Sequence, residues 1–408
     1  MNKMKNNVVA GVVRQSVAAL VAFGLAFGLA ACGDDSSSNP MELNGDGVED
    51  DAGSSSSGSD NSSASEDESS SSDVVSLTGA YFATDYKSGE LRWIDKDGKI
   101  SGKSISFYQD SKLIANGGDL YVLERMGADN ISLWDPEKLD DGAKEAVLWQ
   151  VSLDDGANPT DMAFDGTKAW VALQNADSLI QVSTEDGKIS KSIKTSAFSA
   201  KGETSPYVAD IELRDGNLYV LMQRYTYDAE NWVTTYPKGL VAVYDASSGE
   251  LKDTIQLATK NPTAMSFFDG VLYVATQGEY NESYGTDADE NRGIEKVDLD
   301  KKTSKLFVSG EKLGGGIYAF VSEGNVAYAA VYKSYGDVPL AKVNLESGDI
   351  KMVKDIADAE GSIAVKGGVV YVGDRSYGTE TVYVVGDDKA EALEIPEGAI
   401  APYSIVLF

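Results

Sequence analysis

The sequence predicts an all-β fold, a seven-bladed β-propeller closed by its own C-terminus, and three observations predict it. A glycine turn running into an apolar strand around an aromatic residue recurs seven times. Further strands and tight turns flank each copy in the same order. The chain ends on "APYSIVLF", an apolar strand with no unit after it.

The seven copies are "GAYFA" (79–83), "GDLYVL" (118–123), "GTKAWVA" (166–172), "GNLYVL" (216–221), "GVLYVA" (270–275), "GNVAYAA" (324–330) and "GVVYVG" (368–373). Their aromatic residues, Tyr81, Tyr121, Trp170, Tyr219, Tyr273, Tyr328 and Tyr371, stand 40 to 55 residues apart. Before each glycine turn comes a strand, often opened by proline, as in "NPTDMAF", "SPYVADIEL" and "NPTAMSFF". After the aromatic strand comes another and then a tight turn, as in "IQVSTEDGKI" and "VAVYDASSGEL". The Asp-Gly and Ser-Gly pairs supply the positive φ such hairpins require. Four strands per unit at this period, with almost no helical periodicity, describe a propeller blade. A large β-sandwich leaves the seven ordered units unexplained.

The first unit lacks an opening strand, and "APYSIVLF" matches the opening strands of the others. The C-terminus is therefore expected to form the innermost strand of the N-terminal blade, which removes an exposed sheet edge. The stretch "NPTDMAFDGTKAWVALQNADSLIQVSTEDGKISKSI" resembles the YVTN-type propellers, and the resemblance extends over roughly residues 77–408, with the eponymous motif degenerate in most blades. It implies a ligand site at the axial funnel, on the face shared by the loops leaving each second strand and those entering the next blade. The tryptophan-docking pattern of quinoprotein dehydrogenases and the Gly-His and Trp-Asp pairs of WD40 repeats are absent.

Three regions are expected: residues 1–31, 32–74 and 75–408. Lys3, Lys5 and Arg14 precede the apolar run "SVAALVAFGLAFGLAA", the layout of a secretory signal peptide. A transmembrane anchor is the alternative, but the run is short and Gly-rich, and a Ser/Asp tract follows it. Leu29-Ala30-Ala31-Cys32 resembles the bacterial lipobox, which implies acyl chains on Cys32, the only cysteine of the chain. Several acyl chains anchor a protein stably without a spanning helix. Gly33 follows in place of the aspartate of an inner-membrane retention signal, so the expected address is the outer membrane, on either face. Residues 33–73 hold twelve Asp or Glu, no Lys or Arg, and long serine runs. Such a segment buries too little apolar surface to offset ordering and reads as a disordered tether, spanning about 35 Å on average as a flexible coil.

Composition narrows the chemistry. A formal charge of −30 argues against nucleic acid as a partner, since phosphate binding needs clustered Lys and Arg. The chain has no histidine, the commonest general base and metal ligand. That makes a Ser-His-Asp hydrolase or a His-based metalloenzyme improbable, and the lone Cys32 leaves no thiol in the folded domain.

The loops after the second strands carry the unusual residues. Tyr225, Tyr227, Trp232, Tyr236, Tyr280, Tyr284, Tyr335 and Tyr377 stand among polar neighbours. Loops on a rigid scaffold concentrate binding function, and aromatics with a polar tip suit sugar or peptide contact; solvated decoration is the plain alternative. Four residues past the aromatic markers stand Asp85, Arg125, Gln174, Gln223, Gln277, Tyr332 and Arg375, with Arg224 one step further. In register they would ring the funnel mouth, where Arg125, Arg224 and Arg375 could grip an anion, unless each Arg pairs with an acid such as Glu124 or Asp374. Asp287, Asp289 and Glu290 in "TDADEN" offer oxygens to Ca²⁺, the one candidate cofactor, although the spacing of a calcium loop is missing and a solvated acidic insertion is the simpler reading.

The leading expectation is a monomeric, lipid-anchored, non-catalytic module that binds a glycan, a peptide or an envelope protein. A carboxylate-based hydrolase or lyase, with or without calcium, is the second reading, since paired carboxylates work without histidine. The third is an outer-membrane assembly scaffold, similar in anchor and architecture to the propeller lipoprotein of the outer-membrane insertion machinery.

Overall fold

The structure, a computed structural model, describes residues 77–408 except 232 and 388. The expected signal peptide, Cys32 and the expected tether lie outside the described residues, and so does Trp232.

Seven four-stranded antiparallel sheets form the blades. The innermost strands of blades 2 to 7 are Ser111–Asn116, Pro159–Asp165, Val208–Arg214, Pro262–Phe268, Gly316–Glu323 and Ile363–Lys366. Beside them run the aromatic second strands Asp119–Glu124, Lys168–Leu173, Asn217–Met222, Val271–Thr276, Val326–Tyr332 and Val369–Asp374. Blade 1 joins Leu77–Thr84, Gly89–Asp95 and Ile105–Phe107 to the C-terminal strand Pro402–Leu407, which is innermost. The glycines of the hairpin turns between third and fourth strands sit at positive φ, with 69° at Gly187, 78° at Gly249 and 79° at Gly348.

All seven marker aromatics are buried, and Tyr81, Tyr121 and Trp170 are completely so. Their partners lie largely in neighbouring blades. Trp170 and Leu179 of blade 3 pack with Val220 and Met222 of blade 4. Phe82 and Leu91 of blade 1 pack with Leu120 and Val122 of blade 2. Tyr81 and Ile94 of blade 1 meet Tyr371 and Val382 of blade 7, completing the circle. Each blade thus depends on its neighbours for its core, as stacked repeats do.

Closure follows the expected strand. Pro402–Leu407 runs antiparallel to the first strand, from Gly79 opposite Leu407 to Ala83 opposite Pro402. Gly79 is required there, because a Cβ would stand 2.3 Å from the Val406 carbonyl oxygen. Ile405, Val406 and Leu407 are buried. Each such burial contributes about 1.5–3 kcal/mol, so the three together are comparable with the stability of a whole domain, about 5–15 kcal/mol.

The innermost strands do not form ladders with one another, so side chains satisfy part of their edges. Thr160 Oγ1 donates to Val208 O (3.2 Å) and Thr263 Oγ1 to Ile317 O (3.0 Å). In the other sense, Asp161 accepts from Ile211 N (3.3 Å), Asp210 from Met265 N (2.6 Å) and Ser404 Oγ from Leu113 N (3.0 Å).

Deleting Tyr403 to Phe408 should abolish the cooperative unfolding transition in calorimetry and circular dichroism. A truncated protein that melts like the full chain would remove the C-terminal strand as the latch.

Candidate functional site

The loops leaving the second strands and those entering the innermost strands meet at one end of the axis. Five of the expected ring residues sit in one register there. The backbone N–H groups of Arg125, Gln174, Gln223 and Gln277 donate to the carbonyls of Asp110, Asn158, Tyr207 and Asn261, each just before an innermost strand, and that of Arg375 to Asp358, at the short turn leading into the innermost strand of blade 7. Asp85 and Tyr332 depart from the register. The Asp85 carboxylate caps its own turn through Lys87 N and Ser88 N, and Tyr332 is still paired in its strand with Gly316.

The ring side chains are joined across blades. Arg125 Nε donates to Asn158 Oδ1 (3.0 Å), and Asn158 Nδ2 to Gln174 Oε1 (2.7 Å). Gln223 Nε2 donates to Asn261 Oδ1 (2.8 Å), whose Nδ2 reaches Gln277 Oε1 (3.3 Å). Asn158 and Asn261 hold φ of 53° and 50°, a conformation asparagine tolerates better than most residues, so the Asn-Pro pairs turn the chain into the strand and bridge two blades. Neither Arg125 nor Arg375 takes Glu124 or Asp374 as its partner. Arg125 stands 3.6 Å from Asp110, and Arg375 donates to Ala401 O, Pro402 O and Thr84 O at 2.9–3.2 Å. Arg224 Nε donates to Phe198 O (2.8 Å). Arg375 therefore fastens the latch strand, and none of the three guanidinium groups is left without a protein partner.

The blade 4 loop differs from the expectation of exposed aromatics. Tyr225 and Tyr236 are buried with Tyr207. Tyr207 and Tyr225 stack at 3.7 Å, and Tyr236 meets Tyr225 edge-on at 5.6 Å. The loop folds its own hairpin, Thr226–Asp228 with Val233–Thr235, and Glu203 ties it down by accepting from Tyr207 Oη and Tyr227 N. Tyr227 is half-buried there.

Other loop tyrosines are exposed: Tyr377 fully, Tyr335 by 56% and Tyr284 by 40%. Tyr280, half-buried, meets Tyr332 edge-on at 5.9 Å, and Tyr318 lies 6.2 Å from Tyr332. Across blade 7, Tyr86 and Tyr403 of blade 1 are 6.3 Å apart, with the Arg375 guanidinium 5.2 Å and 5.6 Å from their ring centres. Tyr318 and Tyr403 occupy the irregular position just inside their innermost strands, the position Thr160 and Thr263 hold in blades 3 and 5. A bulge re-aims its side chain, and these two join the tyrosines of the mouth.

Glu360 lies within electrostatic reach of Tyr86, Tyr280, Tyr318 and Tyr332. It sits in the short turn Ala359–Gly361 that leads into blade 7, where the Asp358 carboxylate accepts from its N–H at 3.3 Å. Its own carboxylate has no hydrogen-bond donor among the described residues. Burial and then the Asp358 charge push it up to about 7, against the pull of Arg375.

Asp287, Asp289 and Glu290 do not form a cage. Asp289 is gripped by Arg292 at 3.0 and 3.1 Å, and Asp287 accepts from Asn281 Nδ2. Among the described residues no three His, Cys, Asp or Glu side chains gather as a metal site.

A second group of charges lines the axis. Lys112 Nζ stands 3.4 Å from Asp161 Oδ1, and Asp161 hydrogen-bonds the Asp210 carboxyl. Burial and the Asp161 charge push Asp210 well up. Burial of Asp161 is outweighed by Lys112 and that hydrogen bond, which hold it low. Glu212, pushed by burial and Asp161 against Arg214, titrates at about 7. Between the ordinary glutamate value near 4.3 and about 7 the unfolded chain has released a proton the folded chain retains, so stability falls as pH rises through that window. Glu212→Gln should raise Tm at pH 8 and leave it nearly unchanged at pH 4.5. An equal shift at both values would remove the titration as the cause.

No family model matches the sequence, and no curated protein matches it. Among solved structures the chain is similar to a candidate 6-phosphogluconolactonase from Bacteroides uniformis, at TM-score 0.56 and 14% identity over 81% of this chain and 99% of that one. It is also similar to AztD of Citrobacter koseri, at TM-score 0.48 and 14% identity over 81% of this chain and 98% of that one. The likeness to the first, at this identity, bears on the propeller fold alone, and the second likeness carries no argument.

Proposed function

We propose that this chain is an exported, lipid-anchored propeller of the cell envelope, a non-catalytic module that recognises a glycan or a peptide at its axial mouth. The observation that carries the reading is the convergence of Tyr86, Tyr280, Tyr318, Tyr332 and Tyr403 on the end of the axis that also holds Glu360. Tyrosines with an apolar face and a polar tip favour sugar rings and peptide planes, and here a closed ring of blades holds them in place. The exposed Tyr284, Tyr335 and Tyr377 widen the same face as a rim. The resemblance to YVTN-type propellers supports the same end of the axis.

The carboxylate-enzyme reading is weaker. The paired acids of the axis, Asp161 and Asp210, accept backbone N–H groups of the next blade, and Asp161 also holds Lys112. Those contacts give them work in the fold.

On a glycan and peptide array, binding should fall by about ten- to a hundredfold with Tyr318→Ala, the range of a central aromatic anchor. Array binding indifferent to Tyr318 and Tyr280 would remove the mouth as the site. The anchor is tested separately: Cys32→Ser should move the protein from the membrane to the soluble fraction, and a variant that still sediments with membranes would remove it.

A further inference from the structure

The two sides of the mouth differ in one respect. On one side Tyr86 and Tyr403 already hold a cation, the Arg375 guanidinium. On the other, Tyr280, Tyr318 and Tyr332 meet ring to ring with no Lys or Arg of the chain over their faces among the described residues. Glu360 is within electrostatic reach of all three rings. Of the nearby guanidinium groups, Arg375, which acts on Glu360, donates to three carbonyls, and Arg125, within electrostatic reach of Tyr318, is held by Asn158 and Asp110. Asp358 and Asp374 add negative charge beside Glu360, each turned to backbone N–H groups. Aromatic faces attract a cation through their quadrupole, most strongly when it is desolvated, and a half-buried carboxylate without a hydrogen-bond donor gains from a counter-ion.

We infer that the mouth binds a primary alkylammonium group, seated between Tyr280, Tyr318 and Tyr332 with Glu360 as its counter-ion. The inference rests on the mouth being the recognition site and adds the charge of the ligand. A lysine side chain on a peptide and a free diamine share this chemistry. Binding should depend on pH. The ammonium stays protonated to about pH 10, whereas the groups facing Glu360 include Asp358 and Arg375 beside it, Asp374 from the second strand of blade 7, Tyr332 and Tyr318 from blade 6, Tyr280 from blade 5, and Tyr86 and Tyr403 from blade 1. Ionisation of Glu360 is favoured by the ligand and opposed by Asp358, so affinity rises with pH.

The test is calorimetric titration with Nα-acetyl-lysinamide and with putrescine, using Nα,Nε-diacetyl-lysinamide as the neutral control. The wild type should bind an amine on the order of tenfold more tightly at pH 8 than at pH 5.5 and should not bind the control. Glu360→Gln, checked by circular dichroism, should lose both the binding and its pH dependence. Should that variant fail to fold, Tyr280→Leu must give the same loss. Binding of putrescine alone assigns the free diamine, and binding of the lysinamide alone assigns the peptide side chain. Equal binding of the neutral control, or undiminished binding by Glu360→Gln, overturns the inference. If neither amine binds while a neutral glycan or peptide does so through Tyr318, the inference fails and the recognition reading stands. If nothing binds through Tyr318, both fail.

Discussion

The ring has to close. Apart from the tyrosine cluster of the blade 4 loop, each buried apolar cluster draws its residues from two neighbouring blades, so each blade relies on its neighbours for its core, and a break at any interface leaves two apolar faces in water. The chain meets this constraint by dividing blade 1 between its ends. Tyr81 and Ile94 from one end and Ile405 and Leu407 from the other then share one cluster with Tyr371 and Val382. The Arg375 guanidinium strengthens the same junction by donating to Ala401 O, Pro402 O and Thr84 O, which ties blade 7 to both halves of blade 1. An arginine that looks like an anion fork in the sequence is a fastener because the junction needs donors where carbonyls converge.

Closure also builds the mouth. Innermost strands that converge without forming ladders leave polar groups near the axis, and buried polar groups must find partners. Threonine, asparagine, serine and aspartate supply them in successive blades. Where the sequence puts tyrosine in place of threonine at the bulged position, as at Tyr318 and Tyr403, the structural slot becomes an aromatic wall. The bridges through Asn158 and Asn261 tie blades 2 and 3, and blades 4 and 5, together around the same mouth. A recognition site built this way costs little ordering on binding, because the scaffold has already fixed its side chains.

Much of this was legible in the sequence. The glycine-aromatic period marks the second strands, and the orphan C-terminal strand fixes both the blade count and the closure. Each follows from alternation and turn chemistry, which act over a few residues. The site was legible in part: the ring register holds for Arg125, Gln174, Gln223, Gln277 and Arg375, but the aromatic loop of blade 4 is not the exposed surface its polar neighbours suggest. Tyr225 and Tyr236 are buried because the loop is long enough to fold a hairpin over Tyr207, a tertiary event that local composition does not encode. Tyr318 and Tyr403 read as ordinary strand residues, and only the bulge, set by pairing with Tyr332 and Phe82 neighbours, turns them to the axis. Glu360 gave no local signal, since its environment comes from its own blade and three others.

The acidity of the chain takes on a different meaning at the axis than at the surface. Most of the folded domain's carboxylates are solvated, where like charges repel weakly through water and salt. At the axis geometry brings the half-buried Asp161, Asp210 and Glu212 together, and solvent screens them less. Such charges are tolerated by pushing the proton affinity of Asp210 up and by drawing in one cation, Lys112. At the mouth Glu360 and Asp358 face the same pressure, and among the described residues neither forms an ion pair with a lysine. The two groups thus solve one electrostatic problem in opposite ways, one closed internally and the other left open to solvent. That difference distinguishes the acids that hold the propeller together from the one placed where a ligand can complete its charge.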